Sequence, residues 1–499
     1  MFHYKALAAS SALVFLMGGT AHAALTADQV WQSWKDAAKL AGLEITSATE
    51  ANSGGVLTLN GVTIAPPGKT DGLKVSDIIL TEESDGSVTI RPGATIGADG
   101  GEAGRLAITH EGLELKAREG DAGALVYDYS ADKLSAIATF VTDGVTFTEE
   151  PAKKVTNDVV VNFDDLKGTY TDAPGTNRTF SMDIATSKLA YEVKTDDPNM
   201  QMKNVSTSTT DDVAMSFKLA LPSTLPLAEI NSPAGFGKAL EEGMAASFTT
   251  KQGATTGTIS QEDQMFPYQG TIASAGGEGA FSIDKSVVSV QSQGGGLVVD
   301  ITSPSVPAPI KVSVESMVMN LLSPMKAVDA AADYGVTLKL GQLTLNDELW
   351  GLVDAGGALK REPFDLVIDV NGKTKIDWPA IIAADETGSQ PPVPAPETLN
   401  ITEIALKVAG AAANATGAFT FDNSMGAPMP LGTADVSVTG ANALIDGLIK
   451  TGLVKEEDAM GVRMMMGAFM TPGSEPDSLT SKIEAKEGFQ IFVNGQRIQ

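Results

Sequence analysis

The chain has no cysteine, and beyond its first 23 residues it has a single histidine, His110. The first absence removes disulfides and thiolate chemistry, so burial of apolar surface has to hold the fold. The second leaves one imidazole for any nucleophilic triad and, with cysteine gone, excludes an ordinary zinc shell. Positive charge is also short: 35 Lys and Arg stand against 62 Asp and Glu, a net charge of −27. Such acidity excludes the basic footprint that nucleic-acid binding requires and disfavours docking on anionic headgroups. Its plain consequence is solubility. A hand-type calcium loop is not supported, because no Asp-x-Asp-x-Asp-Gly run with a following Glu occurs. Past the first 23 residues no stretch approaches the roughly 20 consecutive apolar residues of a membrane helix.

Those first 23 residues have the form of an export signal. Lys5 gives a positive start, Ala6 to Met17 is apolar, Gly18-Gly19 breaks the run, and Ala21-His22-Ala23 suits a signal peptidase. Cleavage after Ala23 is expected, the alternative being retention as an N-terminal anchor. No cysteine is present to carry a lipid. The expectation is a soluble exported protein, most simply periplasmic, with no transmembrane segment once the signal is removed.

The dominant pattern downstream has a period of two. Val56-x-x-Leu59, Asn60-Gly61 and Val62-x-Ile64, then Ile78 to Leu80, Asp85-Gly86 and Val88-x-Ile90, predict short strands joined by tight turns. The same turn grammar recurs at Asp99-Gly100, Asp143-Gly144, Asn371-Gly372 and Asn494-Gly495. Val336-x-Leu338-x-Leu340, Phe364-x-Leu366-x-Ile368-x-Val370 and Ile491-x-Val493 each put one apolar face against one polar face. The fold class is therefore mainly β (α+β), with extended or curved antiparallel meander sheets and a few amphipathic helices. Helices are predicted at Thr26 to Leu40, at Ala228 to Ala246, at Glu315 to Ala332 with a break at Pro324, and at Asn442 to Met470 divided near Gly452 into a Met-rich C-terminal pair. Gln390 to Pro396 and Ser303 to Pro309 are predicted loops. Two lobes, 24–250 and 251–499, are the working division, with one continuous domain as the alternative.

Motifs for chemistry are sparse. His110, in Leu106-x-Ile108-x-His110 before Glu111-Gly112, is expected to be an exposed residue at a strand end. No Gly-x-Ser-x-Gly elbow occurs, the nearest approach being Asn423-Ser424-Met425-Gly426. Gly237-Lys238 fails as a phosphate loop, with Ser232 and Ala239 where glycine and Ser/Thr are needed. Ser-x-x-Lys occurs at Ser130 to Lys133, Ser282 to Lys285 and Ser323 to Lys326, and Lys450-Thr451-Gly452 supplies a Lys-Thr-Gly, but no Ser-Asp-Asn accompanies them. Acid pairs such as Glu82-Glu83 and Asp164-Asp165 are adjacent and would point to opposite faces of a strand. Trp31, Trp34, Trp350 and Trp378 are dispersed. No cofactor or metal is implied.

One positive feature remains. Met460, Met464, Met465, Met466 and Met470 cluster on a predicted helix, and flexible, polarizable thioethers suit an adaptable apolar groove as well as a core. Laid on a sheet face, such a helix would border a cleft fit for an acyl chain or an amphipathic peptide.

Leu343 to Asp354 around Trp350, then Pro363-x-x-Leu366-x-Ile368-Asp369-Val370-x-Gly372, then Gly440 through Met464-Met465-Met466 to Val493-Asn494-Gly495, resemble the exported alphaproteobacterial family known as domain of unknown function 2125. The resemblance extends over most of the chain after residue 23, the opening helix included. It implies location and extent, since the family brings no catalytic residues. The terminal helix-then-strand ending in Asn-Gly is also distantly similar to domain of unknown function 945, which implies only a loose analogy to elongated β-rich envelope proteins that handle lipids. The functional expectation is a non-enzymatic binding or scaffolding role in the envelope, with a lipid or an envelope protein as candidate partner. The alternative is a cell-wall or envelope hydrolase using paired carboxylates or Ser-Lys.

Overall fold

A computed structural model describes residues 24–40, 42–145, 151–230, 232–424 and 426–499. The export signal expected at 1–23 lies outside the described residues, as does Met425. The chain divides into two units, Met1–Ile230 with Glu242–Thr271, and Asn231–Glu241 with Ile272–Gln499.

Unit 1 opens with helix α1 (Ala27–Leu40). Thr26 and Gln29 form a reciprocal capping box, Thr26 Oγ1 accepting the Gln29 amide at 3.2 Å and Gln29 Oε1 accepting the Thr26 amide at 2.9 Å. The Ala27 amide, another donor with no partner within the helix, is taken by Glu82 Oε1 at 3.0 Å. At the far end the Leu43 amide reaches back to the Ala38 carbonyl and Gly42, at φ +71°, reaches Lys39, which stops the helix. Ala27, Val30, Trp31, Trp34 and Ala38 are buried on one face, with Trp31 and Trp34 edge to face at 6.1 Å.

That face packs on a cradle of short strands: β1 (Glu44–Thr46), β2 (Thr49–Ser53), β3 (Val56–Ala65), β4 (Leu73–Glu82), β5 (Val88–Pro92), β6 (Ile96–Asp99), β7 (Gly104–Glu111) and β8 (Glu114–Glu119). Leu57, Leu59, Val62, Ile64, Leu80, Val88 and Ile90 are buried there. Each contributes about 1.5–3 kcal/mol by leaving water. Asn60-Gly61 is not a hairpin turn: β3 runs straight through it. Gly61 takes φ +61°, and the buried positions shift from Leu57 and Leu59 to Val62 and Ile64 across it, while its partner changes from β2 to β1. The dipeptide supplies the positive φ of a bulge. Asp85-Gly86 does turn β4 into β5, with Gly86 at φ +82°.

Four strands far longer than the predicted short ones continue the unit: β9 (Leu125–Asp143), β10 (Lys154–Ala173), β11 (Asn177–Asp197) and β12 (Met202–Pro222). They pair antiparallel in sequence order. Their lower ends close the core with Tyr127 and Tyr170. Strands β13 (Ala245–Gln252) and β14 (Thr255–Glu262) both pair with β12, and α2 (Leu227–Ile230) follows it in the chain. Strand β15 (Tyr268–Ser274) carries the chain across the division between the units.

Unit 2 is a meander: β16 (Gly276–Ile283), β17 (Val287–Thr302), β18 (Ile310–Pro324), β19 (Lys326–Leu345), β20 (Phe364–Asp377), β21 (Ala395–Val408), β22 (Ala411–Asp422), β23 (Met429–Thr439), β24 (Thr471–Pro472), β25 (Ser478–Lys486), β26 (Gln490–Val493) and β27 (Gln496–Arg497). Neighbours from β16 to β23 pair antiparallel, and β25 continues the sheet beside β23. Its helices are α3 (Pro233–Glu241), α4 (Asp347–Val353), α5 (Trp378–Thr387), α6 (Ala441–Lys450) and α7 (Glu456–Phe469). The helix predicted over Glu315 to Ala332 is instead the end of β18 and the start of β19. Met317-x-Met319-x-Leu321 carries a strand period that intervening Val318 and Leu322 hide, and pairing on both sides overrides the helical propensity of Met, Leu and Ala. Ala228 to Ala246 is likewise no single helix, holding α2, α3 and the start of β13. Asn371-Gly372 lies inside β20. A Cβ on Gly372 would sit 2.0 Å from the Thr398 carbonyl and 2.9 Å from the Tyr334 ring, so glycine there makes room for the tyrosine that crosses it. Asn494-Gly495 is a genuine turn, with φ of +50° and +81° between β26 and β27.

Candidate functional site: an open aliphatic sheet face

Residues directly opposite in an antiparallel pair share a face, so register alone builds the site. On β18, Met317, Met319 and Leu321 stand opposite Leu340, Leu338 and Val336 of β19. Those three stand opposite Leu366, Ile368 and Val370 of β20. The β20 residues meet Leu406, Ile404 and Ile401 of β21, where a bulge between Asp369 and Val370 keeps Ile401 on the same side. Four strands thus present three rungs of aliphatic or thioether side chains without interruption.

The face continues at both margins. Val290 lies opposite Leu321 and Phe281 opposite Val290, while Ala413 and Ala415 face Leu406 and Ile404 and are followed by Val438 and Val436. Beside the methionines the β17 positions are small, Gly294 and Ser292. The reverse face of the same strands carries Asn320, Thr337, Lys339, Asp369 and Glu403 among Val318, Val367 and Ala405. Alternation is therefore as one-sided as the sequence predicts, but the apolar side is not covered. Met317 is 37% exposed, Met319 47% and Leu338 38%, and Leu321, Val336, Ile404 and Leu406 lie in the same range. From strand spacing and rise, the four-strand, three-rung block measures roughly 20 by 20 Å. A contiguous apolar patch of about that size is where binding surfaces occur.

Helices stand at the ends of these strands. Met325, Lys326 and Asp377 mark one end, where Trp378 begins α5, its indole Nε1 donating to Ser323 Oγ at 2.9 Å. Ser323, two residues beyond Leu321, shares the apolar face. Helix α3 packs on α5, a Cβ on Gly237 meeting the Pro379 Cβ at 3.1 Å, and Lys326 bonds Glu241 at 2.5 Å, which holds the Glu241 carboxyl below its usual range. At the opposite end, buried Asp354 follows α4 and accepts the Ala358 and Leu359 amides, each at 2.8 Å. Those amide bonds hold its carboxyl below the usual carboxylate range. The loop so fixed underlies α6, where a Cβ on Gly447 would lie 2.6 Å from Leu359 Cδ2.

The five methionines proposed for a groove fall on α7 and just after it. Met460, Met464 and Met465 are strongly exposed, Met464 at 68%, while Met466 and Met470 are half-buried. Helix α7 is tied to α6 by the Arg463–Asp446 ion pair. Its C-terminus is pinned by Ser481 Oγ and Asn494 Nδ2, which donate to the Phe469 carbonyl at 2.7 and 3.0 Å. Ser481 stands opposite Val436, so this helix end meets the sheet on the apolar side.

The residues considered for catalysis are dispersed. His110 stands at the end of β7, as expected, but it is half-buried rather than exposed, with Nε2 3.0 Å from the Gly93 carbonyl. Ser130 and Lys133 sit three apart on β9. Ser323 accepts the Trp378 indole, Lys326 is paired with Glu241, and Lys450 ends α6. Glu82 caps α1, Glu83 accepts the Thr89 hydroxyl at 2.7 Å, and Asp165 accepts Ser187 at 2.7 Å. The buried carboxylates among the described residues are Asp172, paired with Arg178, and Asp354, one in each unit. Among the described residues no three His, Cys, Asp or Glu side chains gather as a metal-ligand set, and no helix is long and apolar enough to cross a membrane.

Sequence reasoning missed Met317, Met319 and Leu321 as part of the site, although their own alternation was the available signal. Residues 253–489, just under half of the chain, match the family described as an uncharacterized protein conserved in bacteria, DUF2125. The matched segment contains the whole aliphatic face and α7, while α1 and the core it caps lie outside it. No curated protein and no solved structure matches the chain.

Proposed function

We propose that this is an exported, non-enzymatic protein of the cell envelope that binds apolar ligands, acyl chains of lipids in particular, on the β18–β21 face of unit 2. One observation carries the reading: twelve aliphatic or thioether side chains aligned over four strands and left half-exposed. Leaving such a surface in water costs about 25 cal/mol per Å², so an apolar ligand gains directly by covering it. Placement in the envelope rests on the leader at residues 1–23. Helix α7, anchored on the apolar side with exposed Met464 and Met465, supports the methionine groove as a flexible border to the same site. The hydrolase alternative has no such support: Ser323 and Lys326 are engaged with Trp378 and Glu241, and each unit holds a single buried carboxylate among the described residues.

The test is purification of the full chain without detergent, with bound lipids identified by mass spectrometry and an apolar dye titrated after delipidation. Acyl lipids and saturable dye binding are expected. Leu338→Asp, which sets a carboxylate at the centre of the face, is expected to weaken dye binding at least tenfold while leaving the circular dichroism of the strands in place. Absence of both lipid and dye binding in the unaltered chain would overturn the reading.

A further inference from the structure

We propose that Met317 and Met319 are modification sites, converted by peroxide-type oxidants to methionine sulfoxide, and that this conversion closes the aliphatic face to apolar ligands. The inference rests on the binding role proposed above and assigns its regulation.

Sulfur supplies the first argument. The chain has 18 methionines and no cysteine, so its oxidisable sulfur is all thioether. Location supplies the second. Met317 and Met319 occupy two of the three rungs, opposite Leu340 and Leu338 on one side and the small Gly294 and Ser292 on the other. They are open enough for an oxidant to reach, whereas Met325 and Met429 are 5% and 7% exposed. Chemistry supplies the third. The thioether sulfur attacks one peroxide oxygen, an S–O bond forms as the O–O bond breaks, and water leaves; sulfur is oxidised and the peroxide reduced. The product replaces an apolar side chain with a strong hydrogen-bond acceptor. At Met317, flanked by Gly294 and Leu340, that acceptor has no side-chain donor opposite it when an acyl chain covers the face, and at Met319 only the Ser292 hydroxyl stands opposite; a polar group buried without a partner is costly. The change is reversible by methionine sulfoxide reductases.

The exposed methionines of unit 1, Met200 and Met265, react as well and serve as the internal comparison. Full-length protein is treated with graded hydrogen peroxide, sulfoxide at each methionine is quantified by peptide mass spectrometry, and binding of a fluorescent fatty acid is measured on the same samples. Affinity is expected to fall at least about tenfold, to track oxidation at Met317 and Met319 rather than at Met200 or Met265, and to return after treatment with both reductase types. The doubly substituted Met317→Leu, Met319→Leu protein, compared only with its own untreated affinity, is expected to change less than twofold. Full sulfoxidation at both positions with unchanged affinity overturns the proposal and leaves the binding role standing, as does an equal loss in the double variant. Failure of the untreated protein to bind the fatty acid overturns the binding role and the modification proposal together.

Discussion

Individual side chains divide into those that hold the fold and those left open. Asp172 shows the first kind: it is buried in unit 1 and held by Arg178 through Nε at 2.8 Å and Nη2 at 2.5 Å. Burial pushes its carboxyl above the usual range against the pull of the guanidinium. Arg178→Met would leave the carboxylate buried and alone, so unfolding followed by Trp31 and Trp34 fluorescence should show a loss of about 3 kcal/mol at neutral pH. The loss should shrink as pH falls and Asp172 takes up its proton; a penalty independent of pH would refute the pairing argument. Met317 and Leu338 show the second kind. Nothing in their own position distinguishes them from core residues except the exposure that remains after folding.

At the scale of elements, strand periodicity was legible where polar residues alternate cleanly, as in Val336-x-Leu338-x-Leu340 and Leu366-x-Ile368-x-Val370. It was hidden where Val318 and Leu322 fill the polar positions of β18, which made that strand resemble a helix. Asn-Gly dipeptides did not separate turns from other uses: Gly61 takes a positive φ in a bulge and Gly495 in a hairpin, which ask the same of the backbone, while Gly372 lies inside β20 without one. The openness of the aliphatic face was not legible at all. A strand covered on one side and a strand open on that side share one alternation pattern, and only register across distant segments shows that four apolar edges coincide. The loop after α4 offers a test at this scale. Asp354, whose carboxyl is held low by the Leu359 and Ala358 amides, stabilises the folded state above the ordinary carboxylate range and loses that contribution as pH falls through its depressed pKa. Asp354→Ala should therefore lower the melting temperature at pH 7 and narrow its gap from the parent protein in strong acid. A gap that widens in acid would contradict the assignment.

Across the whole chain, burial is unevenly shared. Among the described residues, most large side chains wholly removed from water, Tyr127, Leu57, Leu59, Leu80 and Ile90 among them, belong to unit 1, and unit 2 contributes Leu240, Asp354 and Pro324. Unit 1 is stabilised as an ordinary core under a capped helix. Unit 2 relies on backbone pairing along strands of up to 20 residues, β19 being the longest, and keeps apolar surface in reserve. A ligand that binds only the folded state stabilises it in proportion to its occupancy. Hydrogen exchange of the full chain with saturating fatty acid should accordingly slow in β18–β21 peptides and stay unchanged in β3 and β4. Equal slowing in both would contradict a site confined to unit 2.

The face itself is tested most directly by a fatty acid carrying a photoreactive group along its chain, crosslinked to the full-length protein and mapped by mass spectrometry. The account predicts adducts on Met317, Met319, Leu338, Leu340, Ile368 and Ile404, with the intervening Asn320, Thr337, Lys339 and Asp369 spared. Adducts on those reverse-face residues, or none on β18–β21, would contradict it.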